Sequence, residues 1–460
     1  MNNGTASYHL VGIGGIGMSA IARLLLARGA RVSGSDVHRS ELVEALESEG
    51  ATVAIGHRAE NVGNPDLVIV SSAIAHDNPE FVAAIERGID IKTRGAMLAE
   101  LIGSRKTIAI AGTNGKTTTT AMTVTILEHA GVDPTYAIGG LRVDTGTNAA
   151  AGFGVWFVTE SDESDGSFLH LQPTIAVVTN VENDHISSDD ELPGLLAQFT
   201  TFVQRVPPDG CAIIGLDNRG SAFIAKDATA PKFTFATRAD ADLVARDIVY
   251  EGLGSRFTLV ERGNALGTIT LHVPGEINVQ NALAAIAVAR TLKIDVPTIA
   301  AALELFRGVR RRFEIVGERR GVTIVDDYAH HPTAIAQTIA AARGFTGKPI
   351  IVAFQPHRYS RTRYLAADFA AALANADAVL LAPIYAASEE PIEGVSERSI
   401  GEPLAARGTP VTYVTSVDGL LEAVPRAIAG EAVVLMLGAG SISAVAHRLG
   451  ALLEAPAVAR

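Results

Sequence analysis

Two glycine turns, with clusters of acidic, histidine and arginine side chains, carry the chemistry legible in this 460-residue sequence. The most specific signal is Gly112-Thr113-Asn114-Gly115-Lys116-Thr117-Thr118, entered from the apolar run 107–111 and followed by two more threonines. Such a turn can cradle phosphate oxygens on backbone N–H groups, while Lys116 neutralises β/γ charge and the Thr117 hydroxyl reaches Mg²⁺. The strict phosphate-loop spacing fails, because Ile110 stands where its first glycine would be. A polar helix cap is the bland alternative. Four consecutive threonines are poor helix formers, however, so something other than propensity places them here, and the turn is read as an ATP site.

The other turn is Gly12-Ile13-Gly14-Gly15-Ile16-Gly17, between a strand and a helix expected to open at Met18. Its glycines permit close backbone approach to a diphosphate, and Asp36, ending the next strand, is placed to accept from a ribose. A nicotinamide dinucleotide and a UDP-sugar both fit this pattern; a turn that merely packs helix on strand is the third possibility. Glu160 ends a strand and leads into Asp162, Glu163 and Asp165. The next strand runs into Asn180, Asn183, Asp184 and His185. Carboxylates at successive parallel-strand ends suit a metal that bridges phosphates. Further on, Arg310-Arg311-Arg312, then Asp326-Asp327-Tyr328 with His330 and His331, then His357-Arg358 with Arg361, again follow or precede strands. Arginine forks match phosphate and carboxylate geometry. No cysteine or third clustered histidine joins the His330–His331 pair, so zinc is not expected.

Short β-branched or apolar runs alternate with Ala/Leu-rich helical patterns, which implies βαβ units and mainly parallel sheets. Strands are expected at 8–13, 31–35, 67–71, 107–111, 156–160, 175–179, 323–326, 350–354, 378–382 and 432–437. Residues 241–273 instead alternate with turn glycines, as antiparallel strands do. Two phosphate-type loops about 100 residues apart point to separate domains, 1–104, 105–309 and 310–460, within the usual size range. Hydrophobic residues make up 48% and charged residues 19%, an ordinary globular balance. A net charge of −12 disfavours a nucleic-acid surface. The single cysteine, Cys211, allows no intrachain disulfide and fits a reducing, cytoplasmic setting. Neither a basic leader nor an apolar run near the roughly 20 residues of a membrane span is present.

Assembled in order, GIGGIGM, GTNGKTTTT, TESDESDGSF, TNVENDH, PGEINVQNALAA, RRRFE, DDYAHHP and FQPHRYSRT resemble the Mur ligase family over essentially the whole chain. DDYAHHP with FQPHRYSRT favours the branch that acts on the muramate carboxylate. The resemblance implies an α/β fold of three domains: an N-terminal Rossmann-like domain for the UDP moiety, a central P-loop ATPase, and a C-terminal Rossmann-like domain closing over ATP and the amino acid. It implies ATP-dependent addition of L-alanine to the lactyl carboxylate of UDP-N-acetylmuramate through an acyl phosphate. Mg²⁺ would be the cofactor, the partners would be small molecules only, and the protein a monomer or homodimer.

Residue by residue, the resemblance puts Gly12, Gly14, Gly15, Ile16, Gly17, Asp36, Ser71 and Ser72 on the UDP-sugar. Gly112 to Thr118, Asn281, Arg312 and Asp327 fall on ATP, with Asn281 at the adenine, Arg312 at phosphate and Asp327 at the ribose. Thr117, Glu160 and His185 fall on metal, His185 beside the second ion or the reacting carboxylate. Tyr328, His330, His357, Arg358 and Arg361 would line the alanine and acyl-phosphate side. The chain departs from the pattern at Asn114 and Ile277, where alanine-adding members usually carry His, and no counterpart of the relatives' carbamylated lysine is found. A recycling ligase that adds a murein tripeptide to the same sugar nucleotide is the nearest alternative. An NAD(P)-dependent dehydrogenase explains only the first loop.

Overall fold

A computed structural model describes residues 5–71, 73–161, 168, 171–182 and 192–454. Two compact units result, Met1–Val181 with Leu196–Leu243 and Leu283–Ala302, and Glu182–Leu195 with Val244–Ala282 and Leu303–Arg460. Three sheets carry the α/β architecture.

In the first unit, one sheet orders its strands Thr52–Ile55, Arg31–Asp36, Ser7–Val11, Leu67–Val70, Ile91–Thr93. All pairings are parallel. Strand order reverses beside Ser7–Val11, so the turn after it and Ser71 after Leu67–Val70 face one crevice, the usual ligand position in such sheets. The helix after the turn, Ile16–Ala27, has Gly15 as its N-cap and begins two residues before the expected Met18. Local caps fix the other helices: the Ser40 side chain accepts from Val43, Asn78 from Glu80 with Pro79 at the first turn, and Thr93 from Ala96. Beneath the sheet Glu80 is fully buried. Burial alone would raise its pKa, but hydrogen bonds from His9, Ser35, Asn61 and the Arg58 N–H outweigh that and hold it at about 2.

The same unit contains the strands Lys232–Ala236, Cys211–Gly215, Ile175–Val178, Lys106–Ala111, Trp156–Glu160, Thr135–Ala137 and Ala149–Ala150, side by side in that order. Lys106–Ala111 is flanked on both sides in parallel register, with Ile110 opposite Glu160 and Ala111 opposite Val178. Three strands therefore end level. The helix Lys116–His129 buries all four leading threonines. Thr120, Thr123 and Thr125 donate back to the carbonyls of Lys116, Thr119 and Ala121, so their hydroxyls are satisfied against the sheet.

In the second unit, Val244–Ala282 supplies most of the expected antiparallel meander, including the pair Gly254–Glu261 and Asn264–Leu271. The remaining sheet orders Glu314–Arg319, Val322–Asp327, Ala432–Leu437, Ile350–Phe354, Ala378–Leu381, Val411–Tyr413. Its first pairing is antiparallel and the rest are parallel. Period-two alternation sends Val325, Leu435 and Phe354 into one core and Ile324, Met436 and Ala353 into the other. No helix among the described residues is long and apolar enough to cross a membrane.

Candidate active site

Gly112 leaves the sheet at φ 133° and Gly115 turns at φ 88° to start the helix of Lys116. A Cβ on Gly112 would collide with the Thr179 hydroxyl and the Asn180 backbone. The neighbouring strand end grips the turn from that side. The Asn180 Oδ1 accepts from the Asn114 N–H at 2.8 Å, its Nδ2 donates to the Asn114 carbonyl at 2.9 Å, and the Thr179 hydroxyl donates to that carbonyl at 2.7 Å. Thr113 N–H reaches the Asn180 carbonyl at 2.9 Å. This clamp uses only the backbone of Asn114, so it survives the departure from histidine there. Lys116 Nζ folds over the turn, 2.6 Å from the Gly112 carbonyl.

On the other side Glu160 ends its strand level with the turn. Its Oε2 accepts from the Thr117 hydroxyl at 2.8 Å. Space for the carboxylate exists because residue 139 is glycine: a Cβ there would overlap Glu160 Oε1. A hydroxyl and a carboxylate converging at the start of the Lys116 helix are hard oxygen donors of the kind Mg²⁺ takes, so the residues present fit that ion. Thr118 is buried one residue further along the helix.

The first glycine turn opens on the same cleft. A cavity of about 290 Å³ is lined by Gly15, Ile16 and Gly17, by Ser71 and Arg94, and by Ile138, Gly139 and Glu160. The N–H of Gly14 donates to Asp36 Oδ2 at 2.9 Å and Gly12 adopts φ 80°, so Asp36 braces the turn it was expected to serve as a ribose acceptor. Ser72 and His185 lie outside the described residues, as do Asp162, Glu163, Asp165, Asn183 and Asp184.

In the second unit the expected residues gather along the carboxyl ends of its parallel strands. Asp327 is buried, accepting from Phe313 N–H at 2.8 Å and Ala329 N–H at 2.7 Å. Burial pushes its pKa up to about 6 despite Arg312 nearby and those two hydrogen bonds. The guanidinium carbons of Arg311 and Arg312 each stand 4.8 Å from the centre of the Tyr328 ring, a double cation–π arrangement. Rings then run from Tyr328 to His330 (5.1 Å), His357 (5.6 Å) and Tyr385 (5.6 Å, stacked). Arg361 Nη1 is 3.4 Å from His357 Nδ1. Arg358 sits at φ 71°, a strained conformation for a residue with a side chain, held by its N–H on the Tyr385 carbonyl at 2.8 Å. Asn281 is buried on the helix Glu276–Thr291, donating to Asn278 Oδ1 at 3.1 Å.

Comparison with known proteins identifies the family. The family model of the Mur ligase catalytic domain matches residues 7–106, that of the middle domain residues 110–289, and the Mur ligase glutamate ligase domain residues 311–440. The chain belongs to the Mur ligase family. A UDP-N-acetylmuramate–L-alanine ligase of Geotalea uraniireducens is 46% identical over 442 residues, 96% of each chain. One of Salinibacter ruber is 44% identical over 97% of this chain and 94% of its own. The solved UDP-N-acetylmuramate–alanine ligase of Thermotoga maritima superposes with a TM-score of 0.83 at 29% identity, covering 96% of this chain and 98% of its own. A murein peptide ligase of Psychrobacter arcticus gives 0.75 at 28%, covering 98% and 100%.

Sequence reading of this Mur ligase missed Gly139, Arg94 and Tyr385, and did not assign Asn180 its clamp. Asn180 was visible as a polar strand end; nothing local marks Gly139, whose meaning comes from a carboxylate 21 positions away. Two outcomes follow. Gly139→Ala displaces the Glu160 carboxylate, and ADP formation at saturating substrates falls about 100-fold; unchanged turnover would mean Glu160 is not needed where it stands. For Asp327, a folded pKa near 6 against 3.8 otherwise means the folded protein holds a proton that the unfolded chain has released. Its contribution to stability therefore declines as pH rises from about 4 to 6 and is level above that. Denaturant midpoints of Asp327→Asn measured across pH 4–7 should lack this decline; a decline equal to that of the parent protein refutes the assignment.

Proposed function

We propose that this enzyme joins L-alanine to the lactyl carboxylate of UDP-N-acetylmuramate in the cytoplasm, using ATP and Mg²⁺, as a monomer or homodimer acting on small molecules only. The observation that carries the reading is the cleft where the Gly15–Gly17 helix start, Gly139 and Glu160 meet, with Glu160 2.8 Å from the Thr117 hydroxyl. A sugar nucleotide on one loop then presents its carboxylate to a triphosphate on the other. Residues 1–104 are assigned to the UDP-sugar, 105–309 to ATP and 310–460 to a domain closing over ATP and the amino acid, with the 46% identity to alanine ligases favouring alanine over the tripeptide.

A free carboxylate does not condense with an amine in water, so it must first be activated. The lactyl oxygen forms a bond to the γ-phosphorus as the bond to the β-bridging oxygen breaks, releasing ADP. Backbone N–H groups at the helix start, Gly115–Thr118, and the Lys116 ammonium hold the phosphates in line, while the Thr113 and Asn114 N–H groups are engaged in the Asn180 clamp, and positioning supplies much of the rate. Mg²⁺ bound at Thr117 and Glu160 would neutralise charge developing on the β- and γ-oxygens. Alanine nitrogen then attacks the acyl carbon, phosphate leaves, and the amine proton passes to a base, for which His330 is assigned. Its Nδ1 lies 2.9 Å from the Tyr328 carbonyl; an N–H donated there would leave Nε2 as the acceptor. Arg358 and Arg361 are assigned to the alanine carboxylate and acyl phosphate, with His357 supporting Arg361. Arg312 and Asp327 are assigned to ATP phosphate and ribose, Asn281 to adenine.

Phosphate release should appear with ATP, Mg²⁺, UDP-N-acetylmuramate and L-alanine, and be much weaker with the murein tripeptide. Lys116→Ala should lower it about 100-fold or more while UDP-sugar binding stays within about twofold. Preference for the tripeptide would move the enzyme to the recycling reaction. Loss of both activities in Lys116→Ala would contradict separate nucleotide loops.

A further inference from the structure

One fully buried amide joins the two walls of the cleft. Asn148 is 0% exposed. Its Nδ2 donates to the Ile16 carbonyl at 2.6 Å and the Ser19 hydroxyl at 3.1 Å. Its Oδ1 accepts from Arg23, whose Nε is itself held by both oxygens of Glu49 at 2.9 and 3.0 Å. On its backbone side, the Asn148 carbonyl accepts from the Ile138 N–H at 2.7 Å. Ile16 is the first residue of the helix whose N-terminus faces the sugar-nucleotide side of the cleft. Ile138 precedes Gly139, which leaves the space that Glu160 occupies. A continuous run of contacts therefore passes from the Ile16 carbonyl through Asn148, Ile138 and Gly139 to Glu160 and the Thr117 hydroxyl.

Only a side chain that donates and accepts from one rigid plane satisfies all of these partners. Aspartate would set a carboxylate against the Ile16 carbonyl. An apolar residue would take from the buried Arg23 guanidinium the acceptor of its Nη1, at a desolvation cost, and would leave the Ile16 carbonyl with the Ser19 hydroxyl at 3.0 Å but without the Asn148 amide.

We propose that Asn148 is a positioning residue that sets the distance between the sugar-nucleotide loop and the phosphoryl-transfer wall, and hence the reach of the lactyl carboxylate to the γ-phosphate. This rests on the function proposed above. Asn148 is fully buried and meets the glycine turn only at the Ile16 carbonyl, which points along the helix away from its N-terminal N–H groups, so its effect falls on geometry rather than on affinity. A misplacement of about 1 Å between reacting groups can cost about 100-fold in rate.

Asn148→Ala is compared with the parent enzyme by ADP formation per folded molecule, with separate equilibrium binding of UDP-N-acetylmuramate and of a non-hydrolysable ATP analogue. The expected result is a kcat lowered by about 10- to 100-fold, with both dissociation constants within about threefold of the parent. Ser19→Ala removes one acceptor of the Asn148 amide and one donor to the Ile16 carbonyl with little change of volume and should lower kcat about two- to fivefold in the same pattern, which decides the matter if Asn148→Ala does not fold. A kcat equal to the parent's overturns the proposal. So does a loss accounted for wholly by weaker binding of one nucleotide. If the parent itself forms no ADP, the proposed function has failed instead, and the two failures are distinguishable in one experiment.

Discussion

Parallel register is the constraint from which the first unit's chemistry follows. Lys106–Ala111 is paired on both sides so that Ile110 lies opposite Glu160 and Ala111 opposite Val178. Three polar strand ends consequently emerge at one level, delivering the Gly112–Lys116 turn, a carboxylate and an amide clamp to the same place. The Thr117–Glu160 contact at 2.8 Å is the product of that alignment. A hydrogen bond to a charged group is worth about 1.5–3 kcal/mol, enough to hold the hydroxyl in register and too little to place it without the sheet. Gly139 and the buried threonines are accommodations to the same alignment.

The second unit solves a different problem. Its strand ends gather cationic and aromatic groups around one buried carboxylate, Asp327. The Asp326–Asp327 pair is divided by strand alternation. Asp326 is buried with the helix Ile442–Glu454 and accepts from Ser443, whereas Asp327 accepts N–H groups from Phe313 and Ala329. Positive φ at Arg311, Phe313 and Arg358 puts backbone strain into the loops that carry the arginines. Such strain persists only where surrounding contacts over-determine it; here the Asp327 carboxylate and the Tyr385 carbonyl do so.

Much of this was legible in the residues. Both glycine turns are local signals, because a turn and its helix start are written within seven or eight positions. The strand ends Trp156–Glu160, Ile350–Phe354 and Ala432–Leu437 fall at the residues that alternation and β-branching indicate. Short strands such as Thr52–Ile55 and Ile91–Thr93 escaped, being too brief to show a period. The helix at Ile16 begins before Met18 because Gly15 rather than Gly17 ends the turn. Gly139 and Asn148 were not legible, since each acquires meaning from partners up to 132 positions away. Nor was the strain at Arg358, which depends on a carbonyl 27 residues on. Membership of the Mur ligase family follows from the order of motifs, which no one motif supplies.

Transfer of oxygen tests the chemistry most directly. UDP-N-acetylmuramate labelled with ¹⁸O in both lactyl carboxylate oxygens is supplied with ATP, magnesium and L-alanine, and the released phosphate is examined by mass spectrometry. Activation as an acyl phosphate places one labelled oxygen in each phosphate formed. Phosphate without label, formed at the same rate as the amide, would contradict it.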